Sequence, residues 1–387
     1  TTGVYSRFDW LHPGPLLFYT YAGPYRVLGS EATGLLLGNV LVNTASVATV
    51  LVVAWQRGRA TGVALAGLAS AIFLHALGAG FLEDPWNPWV VVVPMFTTAV
   101  VAWHVAAGAH RWLPVVVAFG SFAMQAHVGT ALAAVTMVTF AMAALAVDAW
   151  RHRVERLGRI IMTTAALGFL LWLAPLIDQV SGRGNLGDLV RFWTTNDAPT
   201  TGFAEGARIV APHLGIWAPW ASGDIQVSNF TAEVDPRAVP PLALFLLMVA
   251  MVIAWRRRDR ESLALGGCAL ALTGASFMAA SRIVDLPLEY VVRWIWVVGV
   301  VVWLAIAWTL VKAVRAASRL VTIGVMIIAV AIAGALTGAA TLDALETDHP
   351  QAEHVALLDA MRDPVIEQLE DARGPILIGH TPGYCSA

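Results

Sequence analysis

Charged residues, cysteine and lysine are all scarce in this sequence. Only 13% of its 387 residues are charged, about half the share that soluble globular domains carry. The two cysteines, Cys268 and Cys385, imply no disulfide framework, and Lys312 is the only lysine. The start of the chain shows no signal-peptide pattern. The composition therefore excludes a soluble globular domain and a disulfide-stabilised scaffold.

Apolar residues make up 58% of the chain, and the mean hydropathy is +0.69. Several windows reach the roughly 20 apolar residues that a helix needs to cross the hydrocarbon of a bilayer. We therefore expect an all-α polytopic membrane protein with about ten spans. The predicted spans are Gly34–Trp55, Thr61–Phe81, Trp89–Ala109, Leu113–Gln125, Thr130–Trp150, Ile160–Val180, Val239–Trp255, Leu263–Ser281, Val291–Leu310 and Leu320–Thr341.

The loops between these spans alternate in charge. One set of loops holds 14 of the 24 basic residues and four of the 26 acids, and its segments read QRGR, HR, WRHRVERLGR, WRRRDR and KAVRAASR. Short basic loops stay in the cytoplasm, so this set is predicted to be cytoplasmic and the other set extracytoplasmic. We therefore expect a multi-pass protein of the plasma membrane whose active face lies outside.

The chain divides into three predicted regions. Residues 1–32 form an outer loop, SRFDWLHPGP, and a helix along the membrane interface. Residues 33–341 hold the spans, and a long outer loop at 181–238 carries a second interfacial helix. Residues 342–387 include GPILIGHT, which is typical of a buried strand and predicts the start of an extracytoplasmic α/β domain. We also expect a further span before the first residue and more of this domain after the last.

Several kinds of site have no motif in the sequence. The histidines and cysteines lack the spacing of a zinc site, and no glycine-rich phosphate loop follows a strand. No internal repeat and no pair of broken helices is recognisable, although both are common in secondary transporters. The cofactor stays unknown, because a divalent cation would need ligands that no motif identifies.

Unusual polar residues concentrate at the outer ends of the predicted spans. They occur in the first loop, in FLEDPWNPW, around QAHVG, and in SRIVDLPLEYVVRWIW. Polar groups within the membrane are costly unless they face a cavity or a partner. The candidate site residues are Asp9, His12, Glu83, Asp84, Asn87, Gln125, His127, Asp178, Arg282, Tyr290 and Arg293.

Each candidate also has a structural interpretation. Asp84 precedes a proline and is suited to cap a helix, and Glu83 beside it suits a solvated loop. His12 and His127 are equally suited to hydrogen bonds within the fold. Arg293 precedes WIWVVGVVVWL, where its side chain can extend to the interface or bind a lipid phosphate with its planar guanidinium. The residues alone leave these alternatives open.

Five segments of the chain resemble one known family. They read YSRFDWLHPGPLLFYTYAGPYRVLG, DPWNPWVVVVP, QAHVG, LAPLIDQVSGRGNLGDLVRFW and YVVRWIW. They are similar to the GT-C superfamily of membrane glycosyltransferases, and within it to an actinobacterial set related to the aminoarabinose and O-mannosyl transferases. The resemblance covers most of the chain up to about residue 341 and leaves the sugar open, with arabinose and mannose as the expected types.

The resemblance implies that a sugar is moved from a polyprenyl-phosphate donor to an envelope glycan or lipid acceptor by one inverting displacement. Asp84 matches a second acidic position of the family and, with Asp9 and His12, is an expected catalytic residue. The family's catalytic acid usually lies upstream of the segment that resembles FDWLHPGPLLFY, whereas Asp9 lies within that segment. The resemblance therefore does not by itself assign the role of base to Asp9. Arg293 is expected to hold the leaving phosphate.

The resemblance extends to further residues and to partners. Membrane lipids and the lipid-linked donor are expected partners, and nucleic acid is not. The other residues expected to bind the donor or the acceptor are Glu83, Asn87, His127 and Tyr290.

Two rival functions would use the same outer cavity. A transporter or flippase of a lipid-linked glycan would bind the phosphate at Arg293 without chemistry. It would need polar groups near the middle of the membrane, which only His75 and His104 approach. A structural subunit of an envelope complex would scatter its polar residues. A single observation distinguishes the transferase, the transporter and the structural subunit. It is whether the outer acids, the histidines and Arg293 share one cavity.

Overall fold

The computed structural model of this chain is mainly helical. Its chain forms two units, Thr1–Leu342 and Asp343–Ala387. In the described part of the second unit every residue is helical, so the α/β domain expected at 342–387 has no support; the strand predicted at 374–381 lies outside the described residues. The structure describes residues 2–6, 8, 10–222, 233–234, 238–346, 360–361 and 363–367.

Sixteen α-helices are defined within these residues. Short 3-10 turns at His110–Trp112, Val128–Thr130, Ala211–Leu214 and Arg293–Ile295 adjoin them. In chain order the helices are α1 Leu16–Val27, α2 Thr33–Leu77, α3 Ala79–Glu83, α4 Asn87–Val90, α5 Val92–Ala106, α6 Leu113–Ala126, α7 Ala131–Trp150, α8 Leu157–Ser181, α9 Asn185–Thr195, α10 Gly202–Val210, α11 Pro219–Ser222, α12 Leu242–Arg256, α13 Arg260–Ser281, α14 Glu289–Val292, α15 Trp296–Arg315 and α16 Arg319–Glu346.

Seven helical stretches of the described residues are long and apolar enough to cross a membrane. The multi-pass helical architecture is therefore confirmed, but the predicted count of ten spans is not. The seven stretches are Thr33–Leu77, Asn87–Ala106, Val128–Trp150, Leu157–Ser181, Arg260–Ser281, Glu289–Arg315 and Arg319–Leu345.

Part of the difference lies in α2, which covers the first two predicted spans. Arg59 has φ 55° and ψ −140°, which breaks the helix. In a straight helix Asn39 and Leu77 would lie roughly 57 Å apart. Instead, the Asn39 side chain donates hydrogen bonds to the carbonyl oxygens of Leu82 and Asp84, at 2.9 and 2.8 Å. The chain therefore reverses at Arg59, and α2 is a helical hairpin.

Two other predicted spans form helices shorter than a bilayer. α6 has 14 residues and α12 has 15, which correspond to lengths of about 21 and 22 Å against a hydrocarbon core of about 30 Å. A 3-10 turn precedes α6 at His110–Trp112, and another follows it at Val128–Thr130. The apolar runs were recognised correctly, but their helical lengths do not reach that of a span.

The centre of the bundle is α5. Every residue from Val92 to Ala106 is buried, as expected for a helix that is apolar on all sides. It packs against α2, α6, α7, α13 and α15. α8 and α16 have few buried residues and lie at the periphery. The bundle around α5 has two opposite ends, and each end gathers a different kind of polar side chain.

One end carries paired charges. The Asp148 carboxylate, buried near the end of α7, contacts His110 and the Arg260 guanidinium. The Lys312 ammonium lies 2.8 Å from the Asp259 carboxylate. These residues belong to loops predicted to be basic and cytoplasmic, and their pairing fixes the ends of α7, α13 and α15. The opposite end carries the cavity.

Candidate functional site

A cavity of about 390 Å³ lies where α4, α7 and α15 begin. Its walls come from the N-terminal loop, from α9, and from the segment that joins the end of α13 to Ile295. Most of the lining is aromatic or aliphatic, as in small-molecule sites with a few placed polar groups. The polar lining residues that matter here are His12, Asn87, His127, Arg282, Tyr290 and Trp294.

The N-terminal loop folds back on itself to form one wall. The Gly3 N–H donates to the His12 carbonyl at 3.0 Å, the His12 N–H donates to the Val4 carbonyl at 2.8 Å, and the Ser6 N–H donates to the Trp10 carbonyl at 2.9 Å. In extended backbone, side chains two positions apart share a face. Trp10 and His12 accordingly both line the cavity.

Asn185, the first residue of α9, holds this loop in place. Its Oδ1 accepts from the Leu11 N–H at 2.9 Å, and its Nδ2 donates to the carbonyls of Leu11 and His12. The Asp178 carboxylate accepts from the Asn185 N–H at 3.2 Å. The candidate Asp178 is buried and does not line the cavity. Nothing in the sequence singled out Asn185.

His12 combines a structural hydrogen bond with a position in the lining. Its Nδ1 accepts from the Val128 N–H at 3.0 Å, and its ring lies 5.1 Å from the His127 ring. Burial lowers the pKa of His12 to about 4. The imidazole is therefore neutral at pH 7, with its proton on Nε2 because Nδ1 accepts. His12 can donate to a ligand through Nε2, but Nδ1 is already engaged.

His127 lies between α6 and α7, where the chain turns at the end of the cavity. Its Nδ1 is buried and has no hydrogen-bond partner in the described structure. Gln125 does not line the cavity, and its Nε2 donates to the Leu171 carbonyl. Of the two polar groups predicted at this apex, His127 alone is a cavity residue.

Asn87 lines the cavity, but the neighbouring acids do not. The Asn87 Nδ2 donates to the Ala126 carbonyl at 2.9 Å. The Asp84 carboxylate accepts from the Trp86 N–H at 2.8 Å, which is the local hydrogen bond that favours aspartate in turns. Burial, with the Asp84 charge as a second cause, raises the pKa of Tyr21. Asp84 is outside the cavity lining, and so is Glu83, the last residue of α3.

Tyr290 and Arg293 are close in sequence but differ in position. The Tyr290 ring lies 5.1 Å from the Trp86 ring and lines the cavity. Arg293 is buried outside the lining, with Nη2 3.0 Å from the Glu289 carboxylate and its guanidinium 4.5 Å from the centre of the Trp296 ring. The structure thus places Arg293 beside the cavity wall, where it does not reach the cavity.

Arg282, at the end of α13, is the only residue with a permanent charge among the described lining residues. Its side chain is exposed, and within the described residues no hydrogen bond or ion pair engages it. No carboxylate lines the cavity in the part of the chain that the structure describes. The expected catalytic residue Asp9 lies outside the described residues.

The cavity thus brings together five of the candidate site residues: His12, Asn87, His127, Arg282 and Tyr290. No protein-family model, curated protein or solved structure matches the chain.

Proposed function

We propose that this chain is a membrane glycosyltransferase that takes a sugar from a polyprenyl-phosphate donor and binds it in the aromatic cavity. The observation that carries the proposal is Arg282, an arginine without a protein partner among the described residues, on the wall of a cavity with aromatic walls. A planar guanidinium binds phosphate through paired hydrogen bonds. The rings of Trp86 and Tyr290 offer flat apolar surfaces for a sugar. The cavity suits a ligand with both parts.

The position of the cavity also favours a lipid-linked donor. Leu132 on α7 and Met278 on α13 line the cavity and are 42% and 37% exposed. They belong to two packed helices that are long enough to cross a membrane. An apolar chain between these helices can lie in the bilayer while its phosphate reaches Arg282. This arrangement favours a membrane-anchored donor over a free sugar nucleotide.

In the proposed reaction an acceptor hydroxyl oxygen bonds to the anomeric carbon of the sugar. The bond from that carbon to the phosphate oxygen breaks, and polyprenyl phosphate leaves with the bonding electrons. A base takes the hydroxyl proton. Asp9, which adjoins the lining residue Trp10 in the sequence, is the carboxylate proposed for this step. Arg282 stabilises the charge on the departing phosphate.

We propose that the cavity faces the outside of the plasma membrane. The paired charges around Asp148 and Lys312 lie at the opposite end of the bundle. Their loops are predicted to be cytoplasmic by the distribution of basic residues. A donor assembled on a lipid carrier would then meet an acceptor glycan or lipid of the cell envelope at the outer face.

The test is transfer of radiolabelled mannose or arabinose from decaprenyl phosphate to envelope acceptors in membranes that contain the chain. Arg282→Ala should lower the rate about ten- to a hundredfold, because a hydrogen bond to a charged group is lost. Arg282→Lys should retain part of the rate. The control Arg208→Ala changes an exposed arginine paired with Glu205 on α10 and should retain all of it. Full transfer by Arg282→Ala would place the site elsewhere.

One observation favours a second candidate, a flippase of a lipid-linked glycan. The described lining holds no carboxylate, and binding without chemistry needs none. Movement of a fluorescent lipid-linked glycan across liposomes, together with no sugar transfer from either donor, would decide for the flippase.

A further inference from the structure

Four aromatic rings form a continuous part of the cavity lining, here called the aromatic wall. Phe8 and Trp10 belong to the N-terminal loop, and Phe192 and Trp193 belong to α9. The centre of the Phe192 ring lies 5.0 Å from that of Phe8 and 5.6 Å from that of Trp10. It lies 5.8 Å from the centre of the Trp193 ring. These are distances at which aromatic pairs attract one another, so the wall is one packed surface.

The aromatic wall runs from a buried ring to a half-exposed one. Trp10 is buried, whereas Trp193 is 49% exposed although it also lines the cavity. Asn185 joins the two elements of the wall, because it begins α9 and its side chain bonds to the backbone of Leu11. Aromatic side chains offer a large contact area and lose little conformational entropy on binding. A ligand held inside the cavity can therefore extend along the wall past Trp193.

The proposed donor does not use this wall. Its phosphate is assigned to Arg282, its sugar to the rings of Trp86 and Tyr290, and its lipid to the space between α7 and α13. The aromatic wall includes none of these elements. In an inverting displacement the acceptor approaches the sugar from the face away from the leaving group. The acceptor therefore needs a surface of its own in the same cavity, and the aromatic wall provides one.

The shape and chemistry of the wall favour a carbohydrate as the acceptor. The faces of a sugar ring carry C–H groups that pack on aromatic rings, while the hydroxyl groups at its edge stay hydrated or bond to polar side chains. A lipid acceptor would place its apolar part in the bilayer and would need no series of rings that reaches solvent. A chain of sugars matches a row of rings that begins inside the cavity and ends half-exposed.

We propose that the aromatic wall binds the acceptor and that this acceptor is a glycan chain. The sugar that receives the transfer lies against Trp10 and Phe192, and a neighbouring sugar of the chain stacks on Trp193. The inference rests on the proposed function and deepens it, because it selects a glycan over a lipid as the acceptor and assigns Trp193 to a second sugar.

The test measures binding by the purified full chain in nanodiscs. The probes are a mannan oligosaccharide, an arabinan oligosaccharide, the two monosaccharides and decaprenyl phosphate. The wild type should bind one oligosaccharide more tightly than its monosaccharide, because only a chain reaches Trp193. Trp193→Ala should weaken binding of that oligosaccharide about two- to tenfold. It should leave the affinities for the monosaccharide and for decaprenyl phosphate unchanged.

Three further variants control for the loss of the ring. Trp193→Phe keeps an aromatic face and should retain most of the oligosaccharide affinity. Trp193→Leu keeps an apolar side chain without a ring and should behave like Trp193→Ala, so it tests the wall if the alanine variant does not fold. Trp217→Ala removes a tryptophan that is 90% exposed and outside the cavity lining. This variant should bind every probe like the wild type.

The outcomes separate the aromatic wall from the proposed function. If Trp193 only anchors α9 at the membrane interface, Trp193→Ala keeps the oligosaccharide affinity; the inference is then wrong and the proposed function stands. It is also wrong if the wild type binds neither oligosaccharide, or if Trp193→Ala weakens binding of decaprenyl phosphate instead. If the wild type binds an oligosaccharide through Trp193 but transfers no sugar from either lipid-linked donor, the proposed function fails. The role of the bound glycan as an acceptor fails with it.

Discussion

The imidazole Nδ1 of His12 accepts a hydrogen bond from the backbone N–H of Val128 at 3.0 Å. This contact joins the N-terminal loop to the turn that precedes α7, and both segments line the cavity. The side chain is buried and neutral at pH 7. A protonated ring could not accept this hydrogen bond, because Nδ1 would then carry a proton.

The pKa of His12 predicts a loss of stability in acid. Its pKa is about 4 in the folded chain and 6.5 in an unfolded one. Between these values the unfolded state binds more protons, so stability is full above pH 6.5 and falls as the pH drops towards 4. The loss reaches about 3 kcal/mol. Thermal unfolding in detergent at pH 7.5, 6 and 5 measures it.

The matched variant is His12→Asn, whose amide oxygen can accept from Val128 but does not titrate. Burial, and secondarily the Arg293 charge, lowers the pKa of His213 to about 3, so some acid sensitivity persists in the variant. The unfolding midpoint of His12→Asn should therefore fall less with acid than that of the wild type. Equal slopes for the two proteins would contradict the assignment.

The hydrogen bonds of Asn185 lead to a second prediction, which concerns the N-terminal loop that forms one wall of the cavity. Asn185→Ala removes the hydrogen bonds to Leu11 and His12 and leaves the Leu11 N–H without its acceptor. The expected loss is about 1–3 kcal/mol in unfolding free energy. Limited proteolysis should also cut the N-terminal loop faster. Asn196→Ala, at the exposed end of α9, is the control, and equal proteolysis of the two variants would show that Asn185 does not hold the loop.

The helices and the end that gathers polar residues were predictable from the sequence. Apolar runs of about 20 residues indicate membrane helices because the bilayer fixes their length. The sequence predicted that His12, Asn87, His127 and Tyr290 lie at the outer ends of the spans, on one side of the membrane. The cavity contains all four. The number of spans was not predictable in the same way, because an apolar run does not show how many of its residues are helical, as the short helices α6 and α12 illustrate.

The direction of each side chain was harder to predict. Adjacent residues in a helix point about 100° apart, so Trp294 can face the cavity while Arg293 beside it faces Glu289. The sequence places both at the right end of α15 without distinguishing their faces. No local sequence pattern singles out Asn185, because its hydrogen-bond partners lie far away in the sequence. Arg282 was a candidate without a role, and only the cavity distinguishes it from Arg293.

Orientation in the membrane can be tested with single cysteines. Asp188 on α9 belongs to the long loop predicted to be outside, and Arg257 follows α12 in a loop predicted to be cytoplasmic. Both residues are exposed. In a Cys385→Ser background, where Cys268 is buried, an impermeant maleimide should label Asp188→Cys in intact cells and label Arg257→Cys only after permeabilisation. The reverse pattern would invert the proposed orientation.

Arg293 and Arg282 predict opposite effects on stability and on lipid binding. Arg293 stacks on Trp296 and pairs with Glu289 in a buried position. Arg293→Lys keeps the charge but loses the planar contact, so it should lower the unfolding free energy by about 1–2 kcal/mol. It should leave the affinity for decaprenyl phosphate unchanged per folded protein. Arg282→Ala should do the reverse, because its exposed guanidinium has no protein partner in the described structure.

A comparison of the two variants decides which arginine binds the phosphate. Thermal unfolding in detergent gives the stability of each variant, and lipid titration in nanodiscs gives its affinity. Arg282→Ala should weaken decaprenyl phosphate binding about ten- to a hundredfold and leave the unfolding midpoint unchanged. If Arg293→Lys weakens lipid binding and Arg282→Ala does not, Arg293 is the phosphate ligand, as the sequence alone suggests. The segment between Glu289 and Trp296 would then have to turn Arg293 into the cavity when the lipid binds.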